Sequence, residues 1–173
     1  MPRLRPSVAV LGSGTAVPTT QRDNTALVLQ KGVADVLIDC PGSPAARLER
    51  AGVDLMRLAA IVITHAHADH LYGLPSLIHN LQLLGRSIPL SLFVQPEDVD
   101  RIHNLLAVFR LEASTTFLRV RSIPAEGTKA FWEHAGHKLR ALRVDHSLPT
   151  CAIRWDLASP SPHWRRGSCS PWR

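Results

Sequence analysis

Three absences narrow the class of protein before any motif is considered. The 173-residue chain has no apolar stretch long enough to span a membrane. The short apolar run at residues 8–11 ends in glycine, which is unlike a signal peptide. The three cysteines are an odd number without zinc-ribbon spacing, so they do not indicate a disulfide framework. Together these absences predict a soluble cytoplasmic protein with no membrane partner.

A basic stripe of the kind that nucleic-acid binders carry is also missing, because the lysines and arginines are scattered. The formal net charge is +6, and it falls to +3 without the three arginines of residues 159–173. A body of this charge suits an anionic substrate without proving one. An apolar fraction of 45% over this length predicts one domain with a sizeable core.

The order of apolar runs and turn residues predicts a layered α/β (α+β) domain over residues 1–158. Early strands follow one another as hairpins, and later strands alternate with helices. Helices are expected after Ser43, after His70 and from Pro96. Strands are expected at residues 7–11, 25–30, 33–39, 59–63, 90–94, 117–123, 138–144 and 151–155. Residues 159–173 follow neither period and predict an irregular or disordered tail.

A dense group of metal-binding side-chain types directly follows the strand expected at residues 59–63. His65, His67 and Asp69 alternate along an extended segment and can therefore point the same way, and His70 lies where the next helix begins. Imidazoles and carboxylates are good ligands for zinc and similar ions. Four such groups within six residues exceed the needs of one tetrahedral ion with an open position, so two adjacent ions are predicted. The alternative, a polar loop with chance histidines, is disfavoured by this density.

The His-x-His-x-Asp-His pattern after an apolar strand resembles the signature of the metallo-β-lactamase superfamily. Residues 37–42 resemble its strand that ends in Asp, and residues 144–149 resemble its segment with a later histidine. Among the branches of the superfamily, the chain is most similar to ribonuclease Z, the tRNA 3′-processing endonucleases. That similarity rests on residues 11–22, 70–75 and 146–150, and the resemblance as a whole covers about residues 7 to 155.

The resemblance implies a ligand set. His65, His67 and His146 would bind one divalent ion, and Asp69 and His70 would bind the other. Asp39 would orient a ligand by hydrogen bonding, and Asp69 could also act as a catalytic general base. The two ions are expected to be Zn²⁺, with Mn²⁺ or Fe²⁺ as alternatives. The implied fold is the N-terminal part of the αβ/βα sandwich of the superfamily.

The implied chemistry is hydrolysis of a phosphodiester by a metal-bound hydroxide, with the ions stabilising the charge that develops on oxygen. We therefore expect a zinc-dependent endoribonuclease whose partner is RNA, such as a tRNA precursor. One alternative is a hydrolase that acts on a small phosphodiester or a sulfate ester. The other is a catalytically impaired fragment that binds metal. A homodimer is left open.

Two further ligands of the family pattern have no clear match: an Asp that bridges both ions, and a His near the C-terminus. Asp156 comes too early and His163 lies in the irregular tail, so neither is assigned. We expect the chain to be C-terminally truncated, with a tail that reflects a shifted reading frame or a degraded terminus. A complete first site and half of a second one predict weak metal binding and poor activity.

The remaining histidines and aromatic residues are interpreted more plainly. His79 and His103 are expected on helix surfaces or in packing. His134 and His137 flank Gly136 in a turn that we expect to be solvated. Phe131, Trp132 and Trp155 are expected to pack in the core.

Overall fold

The computed structural model describes residues 3–111, 116–124 and 129–157. The tail predicted at residues 159–173 lies outside the described residues. None of the helices in the described part of the chain is long and apolar enough to cross a lipid bilayer.

The main sheet has six strands, ordered along the chain from β1 to β6. The first three strands pair antiparallel, and the pairs β3–β4, β4–β5 and β5–β6 are parallel. Their bounds are β1 Arg3–Gly12, β2 Ala26–Gly32, β3 Ala34–Ile38, β4 Leu58–Val62, β5 Leu90–Val94 and β6 Leu118–Ser122. The predicted change from hairpins to alternating strands and helices is therefore confirmed.

Four helices occur in the segments between the parallel strands. They are α1 Pro44–Arg50, α2 Ala68–Leu71, α3 Leu74–Leu83 and α4 Val99–Val108. Pro96 opens a short 3₁₀ turn, Pro96–Asp98, rather than α4 itself. Leu84, which sequence periodicity places on the buried face of the third helix, follows that helix and is exposed.

A second, antiparallel sheet contains β7 Trp132–His134, β8 His137–Val144 and β9 Thr150–Leu157. The prediction of a solvated turn around Gly136 is wrong in part. Ala135 and Gly136 do form a tight turn, but this turn joins two strands. His137 is buried, and its Nε2 lies 3.1 Å from the carbonyl oxygen of Ala34. The aromatic residues Phe131, Trp132 and Trp155 pack against the apolar cluster between the sheets, as expected.

Two apolar clusters hold these layers together, and the alternation of side chains along each strand separates them. In β3, Leu37 belongs to the cluster beneath the helices, whereas Val36 and Ile38 belong to the cluster between the two sheets. The main sheet is therefore buried on both faces over β3 to β5. Such burial fixes the register of the strands, and the register fixes where their ends lie.

The carboxyl ends of the parallel strands meet at one edge of the main sheet. In the register, Ile38 pairs with Val62, and Val62 pairs with Phe93. The residues that follow these strands, Asp39 after β3 and Gln95 after β5, are therefore brought to the same edge. This is where ligand sites gather in sheets with parallel strands.

Candidate metal centre

The segment between β4 and α2 places the histidines. His67 is the last extended residue before α2, with φ −68° and ψ 147°, and the amide of His70 donates to the carbonyl oxygen of His67 over 3.0 Å. The chain bends at Thr64 and His65, is extended at His67 and then enters α2, so it does not stay extended through Asp69 as the sequence predicted. That change of direction brings Asp69 and His70 back beside His65.

Three imidazoles converge at this edge. His65 and His67 come from the loop after β4, and His146 comes from the turn between β8 and β9. One nitrogen of each ring lies within 4.8 Å of those of the other two. The ring centres are 4.7 to 5.1 Å apart. Three nitrogen donors at this spacing fit a tetrahedral ion such as Zn²⁺, with a fourth position left for water or substrate.

The electrostatics of His65 also suit a cation ligand. The side chain is 6% exposed. Burial, together with the positive charge of neighbouring His70, lowers the pKa of His65 to about 4. Its ring is therefore neutral at pH 7 and offers a lone pair. Neutral imidazole is the form that binds metal.

His70 and Asp69 form a second pair beside this triad. Nε2 of His70 lies 3.4 Å from Oδ2 of Asp69, and the ring centres of His70 and His65 are 4.0 Å apart. On its other side, Nδ1 of His70 lies 2.7 Å from Oδ2 of Asp39. This hydrogen bond raises the pKa of His70. When the ring is neutral, as a ligand histidine is, this contact keeps its proton on Nδ1 and leaves the lone pair on Nε2, towards Asp69.

Asp39 connects the two parts of the centre. Its carboxylate is almost fully buried and accepts hydrogen bonds from the backbone amide of Thr64 (2.8 Å) and from the Thr64 hydroxyl (3.0 Å). The same hydroxyl lies 3.0 Å from Nδ1 of His65. Asp39 has φ +59°, in the left-handed region where Asp and Asn are tolerated better than most residues. This turn directs the carboxylate towards both histidines.

Sequence reasoning missed Thr64 and Gln95. Thr64 bridges Asp39 and His65, and its carbonyl oxygen accepts from the side-chain amide of buried Gln95 (3.1 Å) and from the amide of Cys151 (3.2 Å). The sequence feature that could have identified Gln95 is its position directly after β5, at the same sheet edge as Asp39. These contacts tie the histidine loop to both sheets.

Among the described residues, Cys40 and Asp156 take no part in the triad. Cys40 is fully buried, and its burial raises the pKa of the thiol well above its ordinary value. Asp156 lies near the far end of β9, opposite Lys138, and pairs with Arg140 and Arg154. His163 lies outside the described residues. The five predicted ligand residues share one edge, and Asp156 does not reach it.

The fold has counterparts among solved structures. The short form of human tRNase Z superposes with a TM-score of 0.71 at 21% identity, over 87% of this chain and 64% of that one. The metallo-β-lactamase fold protein YhfI from Bacillus subtilis gives a TM-score of 0.70 at 18% identity, over 86% and 58%. The fold is therefore the metallo-β-lactamase fold, and the predicted fold is confirmed for the part of it that the chain covers.

Sequence comparison adds the relatives within that class. A ribonuclease Z of Pseudomonas putida is 30% identical over 156 residues, which is 88% of this chain and 47% of that protein. A ribonuclease Z of Methanosarcina acetivorans is 28% identical over 145 residues, 83% of this chain and 46% of that protein. The predicted similarity to ribonuclease Z is confirmed, and the chain spans a little under half the length of these relatives.

The family follows from a match that covers most of the chain. The profile of the family described as Anti-Pycsar protein Apyc1 matches residues 6–152. The chain therefore belongs to this family.

Proposed function

We propose that the chain is a metal-dependent phosphodiesterase that cleaves RNA. His65, His67 and His146 hold one divalent ion in this proposal, and Asp69 and His70 hold a second. The observation that carries it is the convergence of three imidazole nitrogens within 4.8 Å, beside the pair of Asp69 and His70. Zn²⁺ suits nitrogen donors of this kind, and Mn²⁺ or Fe²⁺ are the alternatives.

The chemistry divides between the ions and the chain. Divalent ions in these positions would lower the pKa of water and stabilise negative charge on phosphoryl oxygens. Asp39 keeps the ring of His70 in one orientation, and Thr64 does the same for His65. The carboxylate of Asp69, about one-fifth exposed, accepts the proton of the attacking water.

RNA is the first candidate substrate because the relatives that match most of this chain are named ribonuclease Z. The net charge of +6 supports attraction of a polyanion. A small phosphodiester is the second candidate, and one observation favours it: the family that matches residues 6–152 is not named as a ribonuclease. A cytoplasmic location would suit both substrates.

The test combines metal content with two substrates. The purified chain is analysed by mass spectrometry for metals and is assayed on a tRNA precursor and on bis(p-nitrophenyl) phosphate. We expect one to two ions per chain, a number set by the ligand residues present, and cleavage of the precursor. His65→Ala should lose the bound metal and the cleavage activity. His103→Ala, which removes an exposed histidine of α4, should keep both.

The outcomes separate the candidates. Cleavage of the small ester alone would reject RNA and leave the second candidate. Bound metal without activity on either substrate would identify an impaired metal-binding fragment. A chain that binds no ion under any condition would overturn the proposal altogether.

A further inference from the structure

A cleft of about 330 Å³ lies next to the histidine loop, between α3 and the end of α4. Its lining residues are Tyr72, Pro75, Ser76, His79, Phe109 and Leu111. Two large aromatic side chains in this cleft are about half exposed: Tyr72 at 49% and Phe109 at 57%. We propose that the cleft binds a nucleobase of the substrate, stacked on these two rings. This inference rests on the proposed phosphodiesterase function and names the part of the substrate beyond its phosphate.

The position of Tyr72 connects the cleft to the metal centre. Tyr72 caps the C-terminus of α2, two residues after His70, which at about 1.5 Å per residue is about 3 Å along the helix axis. Tyr72 and Gly73 have right-handed backbone angles, but the amide of Gly73 donates to the carbonyl oxygen of Cys40 over 2.9 Å, so α2 and α3 are separate helices joined by a turn. Tyr72 on that turn and Ser76 and His79 on α3 line the same cleft. One wall of the cleft begins where the metal-binding helix ends.

The ring of Tyr72 is held in place although it is exposed. Its hydroxyl donates to Oδ1 of Asn24 over 3.0 Å, and Asn24 is 1% exposed. The side-chain amide of Asn24 donates in turn to the carbonyl oxygens of Thr15 (2.8 Å) and Ala16 (3.0 Å). A ring fixed by a buried anchor loses little conformational freedom when a ligand stacks on it.

Phe109 is exposed because of the backbone turn that follows it. Arg110 has φ +57°, a left-handed conformation that costs free energy for a residue with a side chain. The turn lets the amide of Leu111 reach the carbonyl oxygen of Leu106 over 2.9 Å and buries Leu111. Buried Leu111 thus lines the inner part of the cleft, whereas the ring of Phe109 lines it from an exposed position.

The lining favours a base over other occupants. Stacking on aromatic rings is how proteins hold unpaired bases. The volume is at the low end of ligand clefts and suits one heterocycle better than a protein segment. Ser76 and His79 supply hydrogen-bonding groups for the edge of a base, and none of the six lining residues is acidic.

The chain contains a single tyrosine, so one label reports on the cleft. The full chain, with its metals as purified, is produced with 3-fluorotyrosine and followed by ¹⁹F NMR. It is titrated with adenosine 5′-monophosphate and, separately, with ribose 5-phosphate, which carries the same phosphate and sugar without a base. We expect a saturable shift of the Tyr72 signal with the nucleotide and no comparable shift with ribose 5-phosphate.

Two variants test the second wall. Phe109→Ala should weaken the apparent affinity for adenosine 5′-monophosphate about ten-fold. Val108→Ala is the matched control because Val108 is 77% exposed and does not line the cleft, and it should leave the affinity unchanged. Equal shifts with both ligands, no shift with either, or equal losses in the two variants would overturn the inference.

The result is independent of the hydrolase assay. If the chain cleaves phosphodiesters but the Tyr72 signal does not respond to the nucleotide, the nucleobase cleft is rejected and the proposed function remains. If the signal responds but the chain neither binds metal nor cleaves, the cleft is supported and the proposed function is rejected.

Discussion

Oδ2 of Asp39 lies 2.7 Å from Nδ1 of His70, although 31 positions separate the two residues in the chain. The contact exists because β3 and β4 are parallel neighbours, so the loops after both strands begin at the same edge. A carboxylate that accepts a hydrogen bond from the second ring nitrogen of a ligand histidine fixes the orientation and tautomer of that ring. In the proposed metal centre, Asp39 would therefore be a positioning residue.

Asp39→Asn should weaken the binding of one divalent ion about 10- to 100-fold, because the amide no longer holds the proton of His70 on Nδ1. Asn also accepts the left-handed backbone at position 39, so the variant should keep its fold. The measurement is calorimetric titration of chelator-treated protein with Zn²⁺. Asp100→Asn, in the exposed first turn of α4, is the control. Wild-type affinity in Asp39→Asn would show that the contact does not orient the ring.

Thr64→Val should weaken the ion held by His65, whereas Thr64→Ser should not. Valine keeps the branched shape but removes the hydroxyl that lies 3.0 Å from both Asp39 and His65. Serine restores that hydroxyl. We expect about a ten-fold loss of Zn²⁺ affinity in Thr64→Val, measured by competition with a chromophoric chelator. Equal losses in the two variants would mean that packing of the side chain, and not its hydroxyl, matters at this position.

The local pattern of the sequence was enough to predict the main sheet and the candidate ligands. Residue types that can bind metal are concentrated in the loop after β4, and turn residues lie on either side of each strand. Periodicity and residue type are therefore enough to predict these features. The strand predicted at residues 90–94 coincides with β5. Four of the five predicted ligands share one edge because they follow the same strand, β4, whereas His146 reaches that edge from the second sheet.

Contacts between distant segments were not predictable in this way. β7 has only three residues, too few to show a strand period in the sequence. His137, at the start of β8, is buried against the carbonyl oxygen of Ala34, which lies 103 positions away in the chain. Gln95 is a single polar residue after a strand, and only the register shows that it reaches Thr64. These positions depend on tertiary packing, about which one sequence carries no local signal.

Arg86→Met should destabilise the fold without changing metal content. The guanidinium is 5% exposed and donates to the carbonyl oxygens of Ile88 (2.9 Å), Leu55 (3.2 Å) and Pro89 (3.4 Å). Methionine would leave these buried acceptors unpaired, which should cost about 2–4 kcal/mol in the free energy of unfolding.

Urea denaturation, followed by tryptophan fluorescence, measures this loss. Arg86→Lys should recover little of it, because one ammonium group cannot reach the acceptors that the planar guanidinium serves. Arg50→Met, at an exposed position of α1, should change stability by no more than about 0.5 kcal/mol. If the Arg50 and Arg86 variants were equally stable, the hydrogen bonds of Arg86 would contribute nothing to the fold.

His137→Gln should make the fold less sensitive to acid. His137 is 2% exposed, and its burial lowers its pKa. The unfolded chain, with an ordinary histidine pKa of about 6.5, therefore binds the proton more readily than the folded protein. Stability from this residue is complete above about pH 6.5 and is lost as the pH falls from there towards the folded-state pKa.

Glutamine cannot take up that proton, yet it can still donate to the carbonyl oxygen of Ala34. The measurement is the free energy of unfolding between pH 7 and pH 4.5, taken as the difference between wild type and variant, so that the histidines common to both cancel. We expect a shallower acid slope for His137→Gln and an unchanged slope for the control His103→Gln, because His103 is exposed. If the curves for His137→Gln and the wild type were parallel, protonation of the buried imidazole would cost no folding stability. The packing of Trp155 against the imidazole would then have to stabilise the charged form as well.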